Sequence, residues 1–470
     1  MEEESTSAES NPSSSERIKL NVGGKLFETT FSTLRSGGPD SLLFALSNRR
    51  SADPSPVFID RDPEIFSVLL SLLRTSHLPS AARRFSKHEL ADEALFYGID
   101  AHLRAAAAPP PFSGIDAALS ASLRPASEGL PSSFVAAPSG AVWIAHGGQI
   151  SGYDPILTHA ATVRTHLDEI DSICRVWPDI AAVGSKSDTG LHFYNLSGSR
   201  HVGSVHWTDP LDPRIFKASV NAITSSSNSV FTSFDCPHRE NCIIEVDKEK
   251  LQIANQFARQ SGNQAKNMVP GKLTWIPATS VLIGSAVTGG AFGYSGYVRL
   301  WDPRSGDVVW ETNEPGGSGR SSRFGDSFAD VEADVEGLLL FKLCSKSGDL
   351  AMADMRFLKD DPWVYLKEKN PSLVSCGEVR NSVVHCYRGQ VFVAREGALE
   401  VWSRVEQREN SEGDADGYYR RNFVDKREDS ERGVIKKIEG GGDRLFISRE
   451  DVEGIEVWES SHSAGAISVF

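Results

Sequence analysis

The chain has 470 residues, about three times the roughly 150 residues of a typical domain, so at least two folded units are expected. Apolar residues make up 40% and charged residues 24% of the chain, as in ordinary globular proteins, and no apolar run approaches the roughly 18 residues that span a bilayer. The net charge of −14 argues against general binding to nucleic acids or anionic membranes, which require a basic surface. Proteins are therefore the expected partners.

The first 16 residues are acidic and rich in serine, without the basic start and apolar stretch of a secretory signal. We expect a disordered tail over residues 1–16. Six cysteines spread over the chain do not form the dense framework of a small secreted protein, so reduced thiols are expected. These features predict a cytoplasmic or nuclear protein, or one present in both, and do not separate the two compartments.

The next segment begins with the pattern of a β-hairpin. Apolar and polar residues alternate over 18–22, the period of a half-buried strand, and Gly23-Gly24 supplies the turn to a second strand over 25–30. A short helix is predicted from Leu42, and a third strand over 57–59 follows a loop that contains Asp and Pro.

Two helices with defined start signals follow. Asp62 is placed as the N-cap and Pro63 as the first residue of a helix whose apolar stripe must pack in a core. The second helix begins with a capping box formed by Ser86 and Glu89. The residues expected to continue its buried side are Leu95, Phe96 and Ile99.

Three blocks of this segment resemble the BTB/POZ domain of the potassium-channel-tetramerisation type. They are IKLNVGGKLFETTFSTL from Ile18, FIDRDPEIFSVLLSLLRTSHL from Phe58 and ELADEALFYGI from Glu89. The resemblance implies a small α/β domain over 17–104 that self-associates, and many members of the family are adaptors that bind a cullin-3 ubiquitin-ligase scaffold. Channel members carry a Cys/His zinc site, but the first cysteine here is Cys174, so that metal site is not expected.

Two groups of residues in this domain are candidates for contacts with other proteins. Asp60, Arg61 and Asp62 form a cluster of alternating charge that suits an interface between identical subunits, although helix capping by Asp62 beside solvated neighbours explains the cluster equally well. For the cullin surface we select apolar residues at helix ends, since aromatic side chains among polar neighbours are typical contact residues. These candidates, each of which can instead belong to the core, are Phe44, Phe66, Leu78 and Tyr97.

Residues 105–111 form a linker of Ala and Pro, after which short β segments recur over 112–470. Seven copies of a strand pair joined by a polar turn are found, and such a pair must pack on its neighbours because it cannot bury both faces alone. We therefore predict an all-β, seven-bladed β-propeller, in which WDPRSG, VWSR and VWES resemble repeats of the WD or YVTN type. The third strands of the copies are marked by Tyr153, Tyr194, Val246, Trp301, Ala353, Trp402 and Trp458.

Three points about the propeller stay open in the sequence. Six blades are the alternative count, because the copy over 236–247 is weak. Closing the ring requires an outer strand from one terminus, and either residues 112–124 or residues 464–470 can supply it. The inserts near 314–326 and 406–431 are rich in Gly, Ser or charged residues and are predicted to be mobile loops.

No pattern in the chain predicts an enzyme. Gly23-Gly24-Lys25 precedes a strand and does not complete a phosphate-loop motif. Cys236, His238 and Cys242 are a close Cys/His set, for which packing of the thiols as small apolar groups is preferred over a metal site. We predict no catalytic residue, no metal and no cofactor. The histidines expected to lie in turns of the first two blades are His146, His166, His192, His201 and His206.

Together these features predict an oligomeric, non-catalytic adaptor. The N-terminal domain would oligomerise and recruit a cullin-3 ligase, the propeller would bind the protein to be ubiquitinated, and partner subunits would transfer the ubiquitin. The domain order resembles plant proteins that join a BTB/POZ domain to a propeller. The alternative is an oligomeric interaction scaffold or regulator that recruits no ligase, and a propeller hydrolase would require convergent acid/base or metal residues in the central channel.

Overall fold

The chain divides into two compact units, which contain the described residues up to 107 and those from 112 onward. Within the portion of the chain that the structure covers, no helix has both the length and the apolar composition needed to cross a bilayer. The structure is a computed structural model, and it describes residues 17–48, 55–107, 112–125, 129–237, 239–261, 268–290, 293–314, 327–345, 347–366, 382–395, 397–405, 419–425 and 432–460.

The N-terminal unit is an α/β domain with a three-stranded sheet in the order β2-β1-β3. Strand β1 runs antiparallel to β2 and parallel to β3. All three strands were predicted, as were the helices that start at Leu42, at Pro63 and after Ser86. The elements are β1 (Arg17–Val22), β2 (Lys25–Thr30), α1 (Phe31–Arg35), α2 (Leu42–Ser47), β3 (Val57–Ile59), α3 (Pro63–Thr75), α4 (Lys87–Tyr97) and α5 (Asp100–Ala107).

Local signals in the sequence account for the turn of the hairpin and for the start of α3. Gly23 and Gly24 have φ angles of 57° and 90°, a conformation that glycine adopts readily and that matches the twist of a tight hairpin. Asp62 Oδ1 accepts hydrogen bonds from the N–H groups of Glu64 and Ile65 at 2.7 and 3.1 Å, which satisfies two donors at the start of α3. The predicted N-cap is confirmed.

Helix α4 begins with the predicted capping box. The N–H of Ser86 donates to Glu89 Oε2 at 2.7 Å, and the N–H of Glu89 donates to Ser86 Oγ at 3.3 Å. Helix α3 is the centre of the core of this unit. Its buried side chains are Ile65, Phe66, Val68, Leu69, Leu70, Leu72 and Leu73.

The C-terminal unit consists of seven antiparallel four-stranded sheets in the described part of the chain. Strand β4 (Ala117–Leu123) comes first, and the sheets then follow in chain order. Sheet 1 holds β5 (Ser133–Ala136), β6 (Val142–His146), β7 (Gln149–Tyr153) and β8 (His159–Arg164); sheet 2 holds β9 (Ser172–Arg175), β10 (Ile180–Gly184), β11 (Leu191–Asn195) and β12 (Arg200–Val205); sheet 3 holds β13 (Ser219–Ser225), β14 (Ser229–Asp235), β15 (Asn241–Asp247) and β16 (Gln252–Gln260).

The remaining sheets repeat this order from the inner to the outer strand. Sheet 4 holds β17 (Lys272–Ile276), β18 (Val281–Gly290), β19 (Gly293–Asp302) and β20 (Asp307–Glu314); sheet 5 holds β21 (Phe328–Asp334), β22 (Leu339–Cys344), β23 (Leu350–Asp354) and β24 (Val364–Tyr365); sheet 6 holds β25 (Ser382–Tyr387), β26 (Gln390–Arg395), β27 (Ala398–Arg404) and β28 (Tyr419–Asp425); sheet 7 holds β29 (Ile435–Gly441), β30 (Arg444–Arg449), β31 (Ile455–Ser460) and, outermost, β4.

The sheets form a closed ring around a central channel. Each sheet contacts the first strand of the sheet that follows it, and β29 of sheet 7 contacts β5 of sheet 1. This arrangement is a β-propeller, as predicted. Each repeated strand pair of the sequence is the second and third strand of one sheet, and all seven marker residues of the third strands are buried. The weak copy over 236–247 contributes to sheet 3, where Val246 is buried in place of an aromatic side chain.

The ring is closed by the segment that precedes the first sheet. Strand β4 pairs with β31, so that Leu123 lies opposite Ile455 and Ala117 opposite Ser460. Of the two candidate segments, residues 112–124 therefore supply the outer strand of sheet 7, while residues 464–470 lie outside the described residues.

The predicted mobile loop over 406–431 requires a correction, because it contains β28. This strand pairs with β27, with Asp425 opposite Leu399 and Tyr419 opposite Arg404. Its sequence, YRRNFVD, has little apolar alternation, since an outermost strand buries few side chains and is held mainly by backbone hydrogen bonds. Glu314 is likewise the last residue of β20. Residues 315–326, 406–418 and 426–431 of the two inserts lie outside the described residues.

Candidate functional site

The charged cluster predicted for the subunit interface lies between β3 and α3, and Asp60, Arg61 and Asp62 are all exposed. Asp62 caps α3. The guanidinium of Arg61 lies 3.9 Å from the ring centroid of Phe96, and its Nη1 is 3.3 Å from Oε1 of Glu93. One residue of the cluster is therefore a cap and another is held against α4, and the role of the cluster between subunits stays a prediction.

Leu95 and Phe96 of α4 lie at the surface, with exposed fractions of 66% and 39%. The expectation that both belong to the buried side of this helix is wrong. The apolar positions that α4 buries are Leu90, Ala94 and Tyr97, which are spaced at four and three residues and so lie on one face of the helix. We call the exposed group formed by Arg61, Leu95 and Phe96 the α4 surface.

A second exposed apolar group lies on the outer face of the three-stranded sheet. Asn21 of β1 lies opposite Leu26 of β2 and opposite Phe58 of β3, so the three side chains form one row across the sheet. Leu26 and Phe58 are both exposed. Sequence reasoning missed this row, although the polar partners of the alternating pattern in β1 indicate which face is outward.

The four candidates for cullin contact fall into two groups. Phe66 and Tyr97 expose none of their surface, and their ring centroids lie 5.1 Å apart in the core. The core interpretation applies to both, because a fully buried ring cannot reach a partner in this conformation. Phe44 and Leu78 are half-buried and retain surface for a contact, so these two stay predictions.

The propeller encloses a channel with a volume of about 970 Å³. The first strands of all seven sheets line this channel. The lining includes one residue from each of these strands, namely Val135, Ile173, Ala222, Lys272, Asp330, His385 and Glu439.

Charged and polar groups in this channel connect neighbouring sheets. Lys272 Nζ of sheet 4 lies 3.1 Å from Asp330 Oδ1 of sheet 5 and also pairs with Glu332. Asp330 Oδ2 accepts a hydrogen bond from the N–H of Val384 in sheet 6 at 2.9 Å. His385 Nε2, also in sheet 6, accepts from a backbone N–H of sheet 7 at 2.9 Å. The first strands of four consecutive sheets are therefore tied together by side chains.

Sheet 7 continues the same network to sheet 1. Glu439 accepts a hydrogen bond from the N–H of Ala136 at 2.7 Å, and Lys437 lies 2.8 Å from Glu439. Every channel carboxylate named here thus has an ammonium or N–H partner within the ring. This pattern is typical of a network that stabilises the fold, since buried charges are retained when they are paired.

Burial shifts the protonation equilibria in the channel. It raises the pKa of Asp330, and it raises the pKa of Cys174 to about 12, so that this thiol stays protonated and is a poor nucleophile. Burial alone would lower the pKa of Lys272, but Asp330 and Glu332 raise it overall, so this ammonium stays charged. Burial lowers the pKa of His385 to about 4, so this imidazole is neutral at neutral pH.

Histidines that are far apart in the sequence meet on sheet 2. His192 lies in β11 and is buried, His201 lies in the outer strand β12, and His166 lies in the connection that precedes β9. One nitrogen of each of these three side chains lies within 4.8 Å of one nitrogen of each of the others. The ring centroid of His206 is 5.8 Å from that of His192. The prediction that these histidines lie in turns is wrong for His192 and His201, which lie in strands, and it did not foresee that three of the side chains meet.

Cys236 and Cys242 are both buried, and burial raises the pKa of each thiol. Protonated, buried thiols match the predicted packing as small apolar groups. His238 lies outside the described residues. The five described cysteines are free of disulfide bonds.

Comparison with known proteins gives both units a family. A family model described as "At2g24240-like, C-terminal beta propeller" matches residues 126–460, and a model described as "BTB/POZ domain" matches residues 18–106. The chain belongs to the BTB/POZ proteins with an At2g24240-like propeller.

Some relatives of this BTB/POZ propeller protein match nearly the whole chain, and others match a shorter part of it. It is 32% identical over 464 residues to "BTB/POZ domain-containing protein At5g41330" of Arabidopsis thaliana, which covers 96% of this chain and 97% of the relative. It is 26% identical over 478 residues to the Arabidopsis thaliana protein At4g30940, covering 95% and 98% of the two chains. The human "Potassium channel regulatory protein" is 39% identical over 89 residues, 18% of this chain and 32% of that protein.

The family agrees with the architecture seen in the structure. A BTB/POZ domain followed by a propeller is the architecture of a protein-interaction adaptor, and the predicted resemblance to plant BTB/POZ propeller proteins is confirmed.

Proposed function

We propose that this protein is a non-catalytic substrate adaptor of a cullin-3 ubiquitin ligase. The N-terminal domain self-associates and binds the cullin, the propeller binds the protein substrate, and other subunits of the complex transfer the ubiquitin. The protein acts in the cytoplasm, the nucleus or both. The observation that carries this proposal is that one chain joins a BTB/POZ domain, which exposes apolar and charged side chains in two separate groups, to a propeller whose channel charges are paired with one another.

The α4 surface is our candidate for self-association. Exposed Leu and Phe side chains beside an Arg that stacks on the aromatic ring combine the residue types that dominate interface energies. Asp60 and Asp62 next to this surface add charge that can set the register between copies. A ring of identical domains would place several propellers on one particle, so later substrate contacts become intramolecular and avidity rises by about 10²–10⁴.

We expect Leu95→Asp to weaken self-association by about 30-fold or more, because a charge replaces an exposed apolar side chain at a contact worth roughly 2 kcal/mol. Sedimentation equilibrium of the full chain over a concentration series measures the effect. Leu211→Asp is the matched control, since Leu211 is 94% exposed and lies in the propeller. An unchanged mass for Leu95→Asp would exclude the α4 surface, and a monomeric wild type would exclude self-association altogether.

Binding of an N-terminal fragment of cullin-3 tests the ligase assignment. We expect binding at micromolar concentration or below, and we expect Phe44→Ala to weaken it about tenfold or more through loss of an aromatic contact. Biolayer interferometry gives both affinities. Phe357→Ala, at an exposed residue of the propeller, is the matched control. Thermal unfolding of Phe44→Ala shows whether the domain stays folded, because Phe44 is half-buried.

The alternative function is an oligomeric scaffold or regulator that recruits no ligase. It draws support from the relative named potassium channel regulatory protein, which matches 89 residues of this chain. A wild-type chain that self-associates but does not bind the cullin-3 fragment at micromolar concentrations would favour this alternative.

A further inference from the structure

We propose that His166, His192 and His201 form a binding site for a zinc ion on sheet 2 of the propeller. The three side chains come from two strands and one connection, and one nitrogen of each lies within 4.8 Å of the others. Three imidazoles around one point are a common set of zinc ligands, with the fourth position left to water.

The distances permit binding without movement of the backbone. Zinc binds imidazole nitrogens at about 2.1 Å in a tetrahedron, so ligand nitrogens need to lie roughly 3.4 Å apart. His166 and His201 are exposed, so rotation of their side chains can close the remaining gap, while His192 is buried and provides the fixed ligand.

Hydrogen bonds orient the imidazole of His192 for this role. Its Nε2 lies 3.0 Å from the carbonyl oxygen of Thr189, so Nε2–H donates to that oxygen and Nδ1 keeps its lone pair. Nδ1 faces Ser204 Oγ at 2.7 Å, and Nε2 of His201 lies 2.9 Å from the same oxygen. Nδ1 of His192 and Nε2 of His201 therefore lie beside the same hydroxyl group, which can donate its hydrogen to only one of them. A backbone carbonyl that accepts the second ring N–H is the usual partner of a metal-binding histidine.

His166 has a similar partner. Its Nδ1 is 2.5 Å from the hydroxyl oxygen of Tyr194, which leaves Nε2 available as the ligand. Tyr194 is buried in sheet 2, so this hydrogen bond fixes the ring of a residue that is otherwise exposed. The tyrosine would act as a positioning residue for the zinc ligand.

The three candidate ligands belong to different elements of the propeller. Zinc would link the connection between sheets 1 and 2 to the outer strand of sheet 2, so its binding can be tested independently of the proposed ligase function.

Isothermal titration of the tag-free, metal-free full chain with ZnCl₂ tests the proposal, with Co²⁺ absorption as a spectroscopic measure of tetrahedral nitrogen ligands. We expect one zinc ion per chain. Each of H166N and H201N should weaken binding by about 100-fold or more, and Tyr194→Phe should weaken it by about tenfold. H159N is the matched control, because His159 is exposed and lies in the outer strand of sheet 1.

H166N and H201N change exposed residues, so they test the proposal even if His192→Asn fails to fold. Absence of zinc binding by the wild type at 100 μM, a concentration far above that at which structural sites fill, would overturn the proposal. Binding by H166N and H201N with wild-type affinity would also overturn it, because zinc would then be held elsewhere.

Discussion

Replacing Lys342 by Met is expected to lower the free energy of unfolding of the propeller by about 3–5 kcal/mol, the cost of removing one member of a buried ion pair. Lys342 in the second strand of sheet 5 has its Nζ 2.6 Å from Oε1 of Glu314, at the end of the outer strand of sheet 4. The exposed side-chain fractions are 0% and 1%. The ammonium also lies 4.5 Å from the ring centroid of Trp363. The pair therefore joins two neighbouring sheets in a site that water does not reach.

The measurement is urea unfolding followed by tryptophan fluorescence. All nine tryptophans lie between residues 143 and 458, so this signal reports on the propeller alone. Lys436→Met is the matched control, because its partner Glu450, 2.7 Å away, is as exposed as Lys436 itself, and surface pairs contribute only about 0–1 kcal/mol.

A double variant separates a lost partner from a lost packing contact. In Lys342→Met with Glu314→Leu both charges of the pair are removed, so most of the stability is expected to return. If the double variant is as unstable as Lys342→Met, or if Lys342→Met costs no more than Lys436→Met, then the buried pair does not have the role assigned to it.

The propeller is expected to lose about 3 kcal/mol of stability through His385 as the pH falls from about 6.5 to about 4. The pKa of this imidazole is lowered to about 4 by burial in the channel. Its Nε2 accepts a hydrogen bond from the N–H of Gly440. Protonation of Nε2 would place its N–H opposite the N–H of Gly440, so that two donors face each other and the hydrogen bond is lost. The charged groups around it are Asp330 and Glu332 of β21, Lys272 of β17, and Lys437 and Glu439 of β29.

The direction of this pH dependence follows from the number of protons that the unfolded and the folded chain bind. Between pH 6.5 and 4 the unfolded chain binds a proton at this histidine and the folded chain does not, so stability rises with pH in this window and is fully present above it. His385→Gln keeps an acceptor for Gly440 but does not titrate, so its stability should change less over the same range. Urea unfolding by tryptophan fluorescence at a series of pH values gives the difference.

His159→Gln is the control for the pH series, because this exposed histidine lies in an outer strand. It should follow the wild-type pH dependence. Equal pH dependence of His385→Gln and the wild type would show that His385 does not titrate as described.

The sequence was sufficient for the elements of the N-terminal domain because their signals are local. The glycine pair of the hairpin, the N-cap Asp62 and the capping box of Ser86 and Glu89 act within four residues of one another, and all are found where predicted. The repeat of the propeller could be predicted for a similar reason, since each blade has its own strand pair with a buried third strand.

The exposure of individual side chains was harder to predict from the sequence than the secondary-structure elements. Leu95 and Phe96 are apolar and lie on a helix whose other face is buried, so composition alone favoured burial for all of them. Strand β28 was missed because an outermost strand has a weak apolar pattern. The choice of β4 as the closing strand depends on which end of the chain reaches β31, a property of the closed ring.

What the sequence determined by itself is therefore the family, the two domains' classes and the local start and turn signals. Only the tertiary structure decided which distant residues share a site, because ring closure brings together strands that are far apart in the chain. It places His166 beside His192 and His201, and it pairs Lys272 with Asp330 across two sheets. These contacts depend on the packing of whole sheets, and neither spacing nor residue type along the chain encodes that packing locally.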